Sequence, residues 1–409
     1  MSDDKRRFWI ATEEEIRSAR VTDVYFDNTV RVLEAAGRDP LVVAEVRARR
    51  LPKDGAFGVL CGMDEVVALM DGVRGVDLFG LPDGSVFGPE EPVLTIVGRY
   101  RAFARHETAI LGLLCQASGI ATAAARCRAA AAGRGLLSFG ARRQHPALAP
   151  LIERAAYVGG ADSVSSVIGA ELLGLRASGT MPHSLMLVIG DTVEAARLFD
   201  AAVDRETARI VLVDTFRDEA DEAVRVARSL GGRLQGVRLD TPASRRGDMA
   251  AIVRDVRWEL DLRGFAAVKI VASGGLGENE IRALKDIVDA FGVGSAISRA
   301  PEIDFAMDIV EVDGEARAKR AKRAGRKELW RCPMTGERKV LAAGVPWERP
   351  AGFPAPEPLF APLIHDGHPV APPQDAQSAR ARQGLSLALL TFTIPAPTRA
   401  ARTHDHGGA

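Results

Sequence analysis

The sequence predicts an α/β protein with a closed or nearly closed β/α barrel at its centre and a smaller, mainly antiparallel α/β unit before it. Three observations predict this. Between about residues 135 and 312, short apolar runs (LLSF, IVLV, LQGVRL, AAVKIVAS, FGVGSAI) alternate with amphipathic helices, a pattern that builds a parallel sheet covered by helices. Glycine and polar residues cluster at or just after these runs: Phe139-Gly140, Gly160-Ala161-Asp162, Gly179-Thr180-Met181-Pro182-His183, Asp214-Thr215, Arg238-Leu239-Asp240, Ser273-Gly274-Gly275 and Gly292-Val293-Gly294-Ser295. Neighbouring clusters lie about 20–35 residues apart, one βα unit each. Seven such clusters suit a barrel, where functional groups gather at the carboxyl ends of the strands. A doubly wound open sheet, the competing arrangement, concentrates its site at one switch point. Third, from about Leu41 to Gly98 the runs LVVAEV, FGVL, VDLFGL and VLTIVG are separated by turn chemistry such as Pro82-Asp83-Gly84-Ser85, which reads as an antiparallel sheet.

Taken in order, the first ten or so residues are polar, and Thr12 to Ala36 reads as helix with acidic residues in its first turn. After the sheet, the Ala/Leu-rich stretch from about Tyr100 to Ala132 reads as buried helix with a break at Ser118-Gly119. Asp218–Leu230, Asp248–Leu262 and Glu278–Ala290 are the clearest amphipathic helices of the central unit. Beyond Val312 the basic run EARAKRAKRAGRK reads as a solvated helix or linker, because no aromatics interleave its charges as nucleic-acid contact requires. Glu328 to Gly344 reads as a hairpin around Met334-Thr335-Gly336, and Pro-rich text follows. From about Ala371 the chain reads as disordered, its terminal THDHGGA a loose tail rather than a metal site. The divisions are thus 10–130, 131–312, 313–370 and 371–409.

Composition bounds the function classes. A 47% hydrophobic and 26% charged chain of 409 residues is neither disordered nor a small disulfide scaffold. Basic and acidic residues balance at 54 each, so no global field attracts nucleic acid or an anionic membrane, and any phosphate site must be local. No uninterrupted apolar run reaches the length of a membrane span, and the N-terminus lacks a signal-peptide core. Cys61, Cys115, Cys127 and Cys332 form no CxxC pair and read as reduced thiols of a cytoplasmic protein.

Four constellations carry chemistry. Ser273-Gly274-Gly275 and Gly292-Val293-Gly294-Ser295 follow successive strands. Each is either a backbone N–H cradle for a phosphate or a tight turn required by packing. His183, after a glycine turn and a proline, is either a loop histidine capping a backbone group or a nucleophile or acid–base at a barrel mouth. Asp214 and Asp240 directly follow apolar runs; each needs a cation, a metal or several N–H donors, and magnesium on a polyphosphate would serve, although helix capping is the plainer explanation. In Ser138-Phe139-Gly140-Ala141-Arg142-Arg143, the aromatic could stack on a flat ring beside arginines that clamp an anion, or sit in a core beside surface arginines.

Together and in this order these residues resemble the nicotinate phosphoribosyltransferase family, in its shorter, archaeal-type branch. The resemblance covers about residues 10–365. It rests on Thr22-Asp23-Val24-Tyr25-Phe26, on Glu107-Thr108 with Ser118-Gly119-Ile120-Ala121-Thr122, and on SFGARRQHP, GGADSVSS, GTMPHS, VDTF, VRLDTPASRRGD, SGGL and GVGS. It implies a type II phosphoribosyltransferase: an irregular α/β barrel covered by an N-terminal α/β domain that the C-terminal segment completes. It also implies the transfer of phosphoribose from phosphoribosyl pyrophosphate to nicotinate, coupled to ATP hydrolysis and assisted by magnesium, in NAD biosynthesis. By that resemblance His183 is the phosphorylated histidine, with Asp214 beside it. Phe139 stacks on the ring, as does Tyr25 from a neighbouring subunit of a homo-oligomer. Arg142, Arg238 and Thr180 line the nicotinate pocket. Asp240 is the ribose and magnesium-linked carboxylate. Ser273, Gly274, Gly275, Gly292, Gly294 and Ser295 hold the 5′-phosphate.

The sequence departs from the pattern after Asp240, where TPASRRGD replaces a shorter SGD and Arg245 and Arg246 offer extra phosphate contacts. Only Cys332 remains where relatives carry a cysteine cluster, so no zinc is expected. The competing readings are a quinolinate phosphoribosyltransferase, which needs more cations for two carboxylates, a nicotinamide-specific enzyme, and an inactive scaffold on the same fold.

Overall fold

The computed structural model describes residues 7–241, 247–350 and 352–391. The N-terminal helical text is split into Glu13–Arg17 and Val24–Ala35. Thr12 and Glu15 cap the first reciprocally, and Ala19 at φ 55° ends it. The following β-type runs build a seven-stranded antiparallel sheet in the order Glu315–Ala316, Phe305–Val312, Leu41–Ala48, Pro92–Arg99, Val76–Gly80, Ala361–His365, His368–Pro369. Strand Leu41–Ala48 is central and buried over nearly its whole length. Its buried Glu45 is therefore paired, accepting from the Lys327 backbone N–H at 2.8 Å and from Lys327 Nζ at 2.9 Å. The predicted hairpin forms from Lys327–Arg331 and Arg338–Ala342.

Helix Glu107–Ala131 joins the two halves: Ile110 and Leu114 enter the core of the antiparallel sheet, Ile120 and Ala124 that of the second unit. It runs unbroken through Ser118-Gly119, contrary to the expected break. A Cβ on Gly119 would lie 2.4 Å from Pro301 O, so the glycine admits a close backbone crossing. Ser118 Oγ accepts from Cys61 N–H at 3.0 Å, anchoring the helix to the first sheet. The continuous helical span Tyr100–Ala131 is long and apolar enough to cross a membrane by composition, unlike the shorter run expected, but 61% of its most apolar window is buried within the protein.

The second unit is a parallel sheet in the order Ser163–Val164, Gly135–Ser138, Ala290–Val293, Lys269–Ala272, Gly236–Leu239, Ile210–Leu212. Helices Glu219–Leu230 and Met249–Leu262 start where Asp218 and Asp248 accept from the first free N–H groups. The third predicted helix is shorter, Glu278–Leu284, and a turn then leads into the next strand, to which Ala290 belongs. Strand pairing yields a half-barrel rather than a regular closed ring. The outer strands are bridged by the irregular segment 178–181, where Ser178 N–H donates to Val164 O at 2.8 Å and Met181 N–H to Ile210 O at 3.5 Å. Gly179 and Pro182 account for the irregularity, since proline lacks the donor a ladder needs.

The basic run forms no helix among the described residues; it links Glu315–Ala316 to Lys327–Arg331 and is mostly exposed, as expected of a linker, with Lys319 and Lys322 paired to the nearly buried Asp308 at 3.0 and 2.7 Å. One further expectation is corrected: the chain beyond Ala371 is not wholly disordered. Ala376–Thr391 is a helix whose Ala379 is fully buried, and Arg380 pairs with Asp162 at 2.7 Å and covers the Tyr157 ring. Gly84, at φ 80°, lets this helix approach, for a Cβ there would lie 1.8 Å from Ala379 O.

Candidate active site

At the carboxyl ends of the parallel strands one continuous polar chain links six of the predicted residues. His183 begins the helix His183–Ile189, and Pro182 precedes it at the N-cap. Its Nε2 lies 3.0 Å from Asp214 Oδ1. The other Asp214 oxygen accepts from the Asp240 backbone N–H at 2.8 Å, with Thr241 Oγ1 3.4 Å away. Burial pushes the Asp214 carboxyl above the usual range; the Asp240 N–H and His183 pull it back, while the Asp240 carboxylate adds to the rise. Asp214 thus ties the His183 ring to the Asp240 backbone, and the following helix is capped by Asp218 instead.

Asp240 extends the chain. Its Oδ1 accepts from Ser273 Oγ at 2.9 Å and its Oδ2 from Arg238 Nη2 at 3.1 Å. Arg238 also donates to Thr180 Oγ1, and its guanidinium lies 5.7 Å from the centre of the Phe139 ring, within cation–π range. Arg238 Nε is buried without a hydrogen-bond partner among the described residues. Two glycines shape the walls. A Cβ on Gly274 (φ 87°) would lie 2.9 Å from Asp240 Oδ1, and one on Gly292 would lie 2.4 Å from the Phe139 ring. Phe139 N–H in turn donates to Val293 O at 2.8 Å.

The two glycine loops follow adjacent parallel strands, with Val271 beside Ala290. Gly275, at φ 71°, has no described atom within 4 Å of where a Cβ would stand, and Gly294 caps the short helix Ser295–Ser298, whose Ser295 is exposed. The structure thus brings together Phe139, Thr180, His183, Asp214, Arg238, Asp240, Ser273, Gly274 and Gly292. It does not bring in Arg142, which is exposed on the turn Ala141–Arg143 with no hydrogen bond or ion pair among the described residues. Tyr25 is more than half exposed, its ring against Phe26 in the N-terminal half. Arg245 and Arg246 lie outside the described residues.

Sequence reasoning missed the support behind the site. Glu219 accepts from Thr241 Oγ1 at 2.5 Å, and the buried Glu222 from Thr192 Oγ1 at 2.6 Å. Glutamate in the first turn of an amphipathic helix ordinarily faces solvent, so periodicity concealed both. Glu153, also fully buried, accepts from Ser165 and Ser166 backbone N–H groups, both at 3.1 Å, and so shapes the GGADSVSS loop. Asp162 in that loop is structural, accepting from Leu136 N–H and pairing with Arg128, each at 2.8 Å.

Both carboxylates of the site are committed to internal partners, and no group of three or more His, Cys, Asp or Glu among the described residues could hold a metal. Direct coordination by a resident ion does not fit this arrangement.

Two family models match in tandem: the N-terminal domain of quinolinate phosphoribosyl transferase over residues 23–118 and its C-terminal domain over 120–308. A site of this composition at the strand ends of this two-part fold defines a phosphoribosyltransferase, an enzyme. Full-length relatives narrow the class. Nicotinate phosphoribosyltransferase pncB2 of Mycobacterium tuberculosis is 30% identical, the alignment spanning 90% of this chain and 87% of the relative. The pncB1 enzyme of the same organism is 31% identical over 86% and 90%. The chain belongs to the nicotinate phosphoribosyltransferase family. A crystal structure of nicotinate-nucleotide pyrophosphorylase from Pyrococcus furiosus superposes with a TM-score of 0.92 at 47% identity, covering 96% of this chain and all of that one. Human nicotinic acid phosphoribosyltransferase shares the fold, with a TM-score of 0.74 at 23% identity over 90% and 93% of the two chains.

Proposed function

We propose that this enzyme joins nicotinate to the ribose of phosphoribosyl pyrophosphate on an irregular type II barrel, releasing pyrophosphate, and couples the step to ATP hydrolysis through a phosphohistidine at His183. The observation that carries the reading is the single polar chain from His183 through Asp214 and Asp240 to Arg238 beside Phe139. An aromatic face next to a guanidinium whose buried Nε–H has no partner among the described residues suits a flat, anionic ring. The ring nitrogen of nicotinate attacks C1 of the ribose as the C1–oxygen bond to pyrophosphate breaks, so the site must hold the two in line. Ser273, Gly274, Gly275, Gly292, Gly294 and Ser295 would seat the 5′-phosphate on adjacent loops, with Arg245 and Arg246 as further anion contacts. Magnesium carried by the pyrophosphate would neutralise the leaving group, meeting Asp240 through water.

Asp214 supports the role of the histidine. With Nε2 held as a donor to the carboxylate, Nδ1 keeps its lone pair and faces away from Asp214. That nitrogen takes the γ-phosphoryl group as the bond to ADP breaks, and water later releases it as inorganic phosphate. The negative charge beside the phosphoribosyl site between those events couples ATP to affinity for the donor. Tyr25 would complete the ring slot of a second subunit in a homo-oligomer, since it does not reach Phe139 in its own chain. Arg142, three residues beyond Phe139, would turn toward a bound carboxylate once substrate is present.

The test is product formation with nicotinate, quinolinate or nicotinamide plus phosphoribosyl pyrophosphate, with and without ATP. Turnover of nicotinate alone, stimulated by ATP, is expected. Decarboxylating turnover of quinolinate, or binding without turnover, overturns the reading. His183→Ala is expected to abolish ATP hydrolysis and stimulation while residual transfer persists; unchanged ATP coupling removes His183 from its role.

A further inference from the structure

Behind the His183–Asp214 contact, the first turn of helix Glu219–Leu230 carries two carboxylates that hold threonines from three separate segments. Glu222 is wholly buried; it accepts from Thr192 Oγ1 at 2.6 Å and, through its other oxygen, from Thr215 N–H at 3.4 Å. Glu219 accepts from Thr241 Oγ1 at 2.5 Å. Thr192 is also wholly buried and opens helix Thr192–Ala202, separated from the His183 helix only by Gly190 and Asp191. Thr215 directly follows Asp214, and Thr241 directly follows Asp240. Each threonine is thus next to, or a short step from, an element that presents a polar group of the site.

A buried glutamate held by one hydroxyl and one long N–H contact is costly, and burial raises its carboxyl pKa despite both donors. Simple docking of the two helices does not require it. The same helix pair is fastened nearer the surface by Arg225 to Asp191 at 3.2 Å and by Arg197 to Ser229 at 2.7 Å. The buried contact does something those cannot: it ties the segment after His183 to the segment after Asp214.

We infer that Glu222 is a positioning residue that locks Thr192 to Thr215 and thereby holds the His183 imidazole with Nε2 on Asp214 and Nδ1 open to the reacting phosphoryl group. The inference deepens the proposed phosphohistidine reading and rests on it for its catalytic consequence, but its geometric content is measurable without turnover. The full-length protein, labelled with 15N-histidine, reports the imidazole tautomer by two-bond NMR correlations, and His183→Ala identifies the signal by its loss. The wild type is expected to show His183 protonated at Nε2. Glu222→Gln and Thr192→Val are expected to reduce that tautomer. They are also expected to slow ATP-dependent phosphorylation about fivefold or more while KM for nicotinate stays within about twofold. Thr192→Ser, which keeps the hydroxyl, should restore both readouts, and Arg197→Ala, which breaks the outer contact to Ser229, should leave both intact.

A wild-type tautomer in Thr192→Val overturns the inference, as does equal damage from Arg197→Ala or failure of Thr192→Ser to rescue. If Glu222→Gln fails to fold, the Thr192 pair decides. If ATP phosphorylates no histidine in the wild type, the phosphohistidine reading fails, and the tautomer measurement still judges Glu222 separately.

Discussion

Replacing Gly292 by alanine tests the ring slot without touching a polar group. The backbone there is not in the left-handed region, so alanine meets no conformational penalty. Its Cβ, however, would stand 2.4 and 2.6 Å from two atoms of the Phe139 ring and 3.2 Å from Ser273 Cβ. Ordinary contact begins about 1 Å farther out, so the ring must move by roughly that amount. Retreat toward Ser273 is closed, and displacement elsewhere changes the stacking face beside Arg238, whose guanidinium now sits 5.7 Å from the ring centre. Overpacking of this kind costs about 1–3 kcal/mol, so Tm should fall by several degrees without unfolding. A misplacement of about 1 Å in a positioning group can cost up to about 100-fold in rate. We expect kcat/KM for nicotinate to drop about 10- to 100-fold. Initial-rate assays with nicotinate varied at saturating phosphoribosyl pyrophosphate read this, and Gly112→Ala, whose Cβ would meet nothing within 4 Å, serves as the steric control. A Gly292→Ala enzyme with wild-type kcat/KM for nicotinate would refute the assignment of Phe139 as a wall of the ring site.

Two further outcomes follow from the geometry. Gly274→Ala combines a strained backbone at φ 87° with a Cβ 2.9 Å from Asp240 Oδ1, so it should displace the carboxylate and abolish most transfer, with KM for phosphoribosyl pyrophosphate raised more than KM for nicotinate in steady-state assays. Glu107 tests a pH linkage. Burial, aided by Asp308 and Asp23, raises its carboxyl from 4.5 to about 7. Across that window the folded chain retains a proton the unfolded chain has released, so stability falls as pH rises through it. Glu107→Gln should therefore gain stability over the wild type at about pH 8 and show little gain at about pH 4, measured by urea unfolding at each pH.

Much of the candidate site's geometry was legible from residue type and placement. Asp214, Asp240 and the glycine loops follow strands, His183 follows the irregular segment that bridges the outer strands, and one polar chain joins His183, Asp214, Asp240 and Ser273. What stayed hidden were long-range consequences of packing. Gly119 read as a helix break because glycine is a poor helix former, yet its lack of a side chain serves a backbone crossing at Pro301. The helix Ala376–Thr391 was concealed by polar, low-amphipathicity text. Its stability comes from Arg380 on Asp162, Arg382 on the Asp83 carbonyl and the burial of Ala379, none of which local patterning reveals.

The sequence by itself determined the alternation of strands and helices, the antiparallel unit before it, and which chemical groups stand at strand termini. These follow from periodicity, capping and turn chemistry, all local properties. Tertiary structure alone decided that the sheet is a half-barrel bridged by an irregular segment and that Arg238 faces Phe139 while Arg142 faces solvent. It also decided that Glu222, hydrophilic in any scale, lies fully buried between two threonines. The reason is physical: a carboxylate or guanidinium has several ways to satisfy its hydrogen bonds, and only the packing of distant segments selects one.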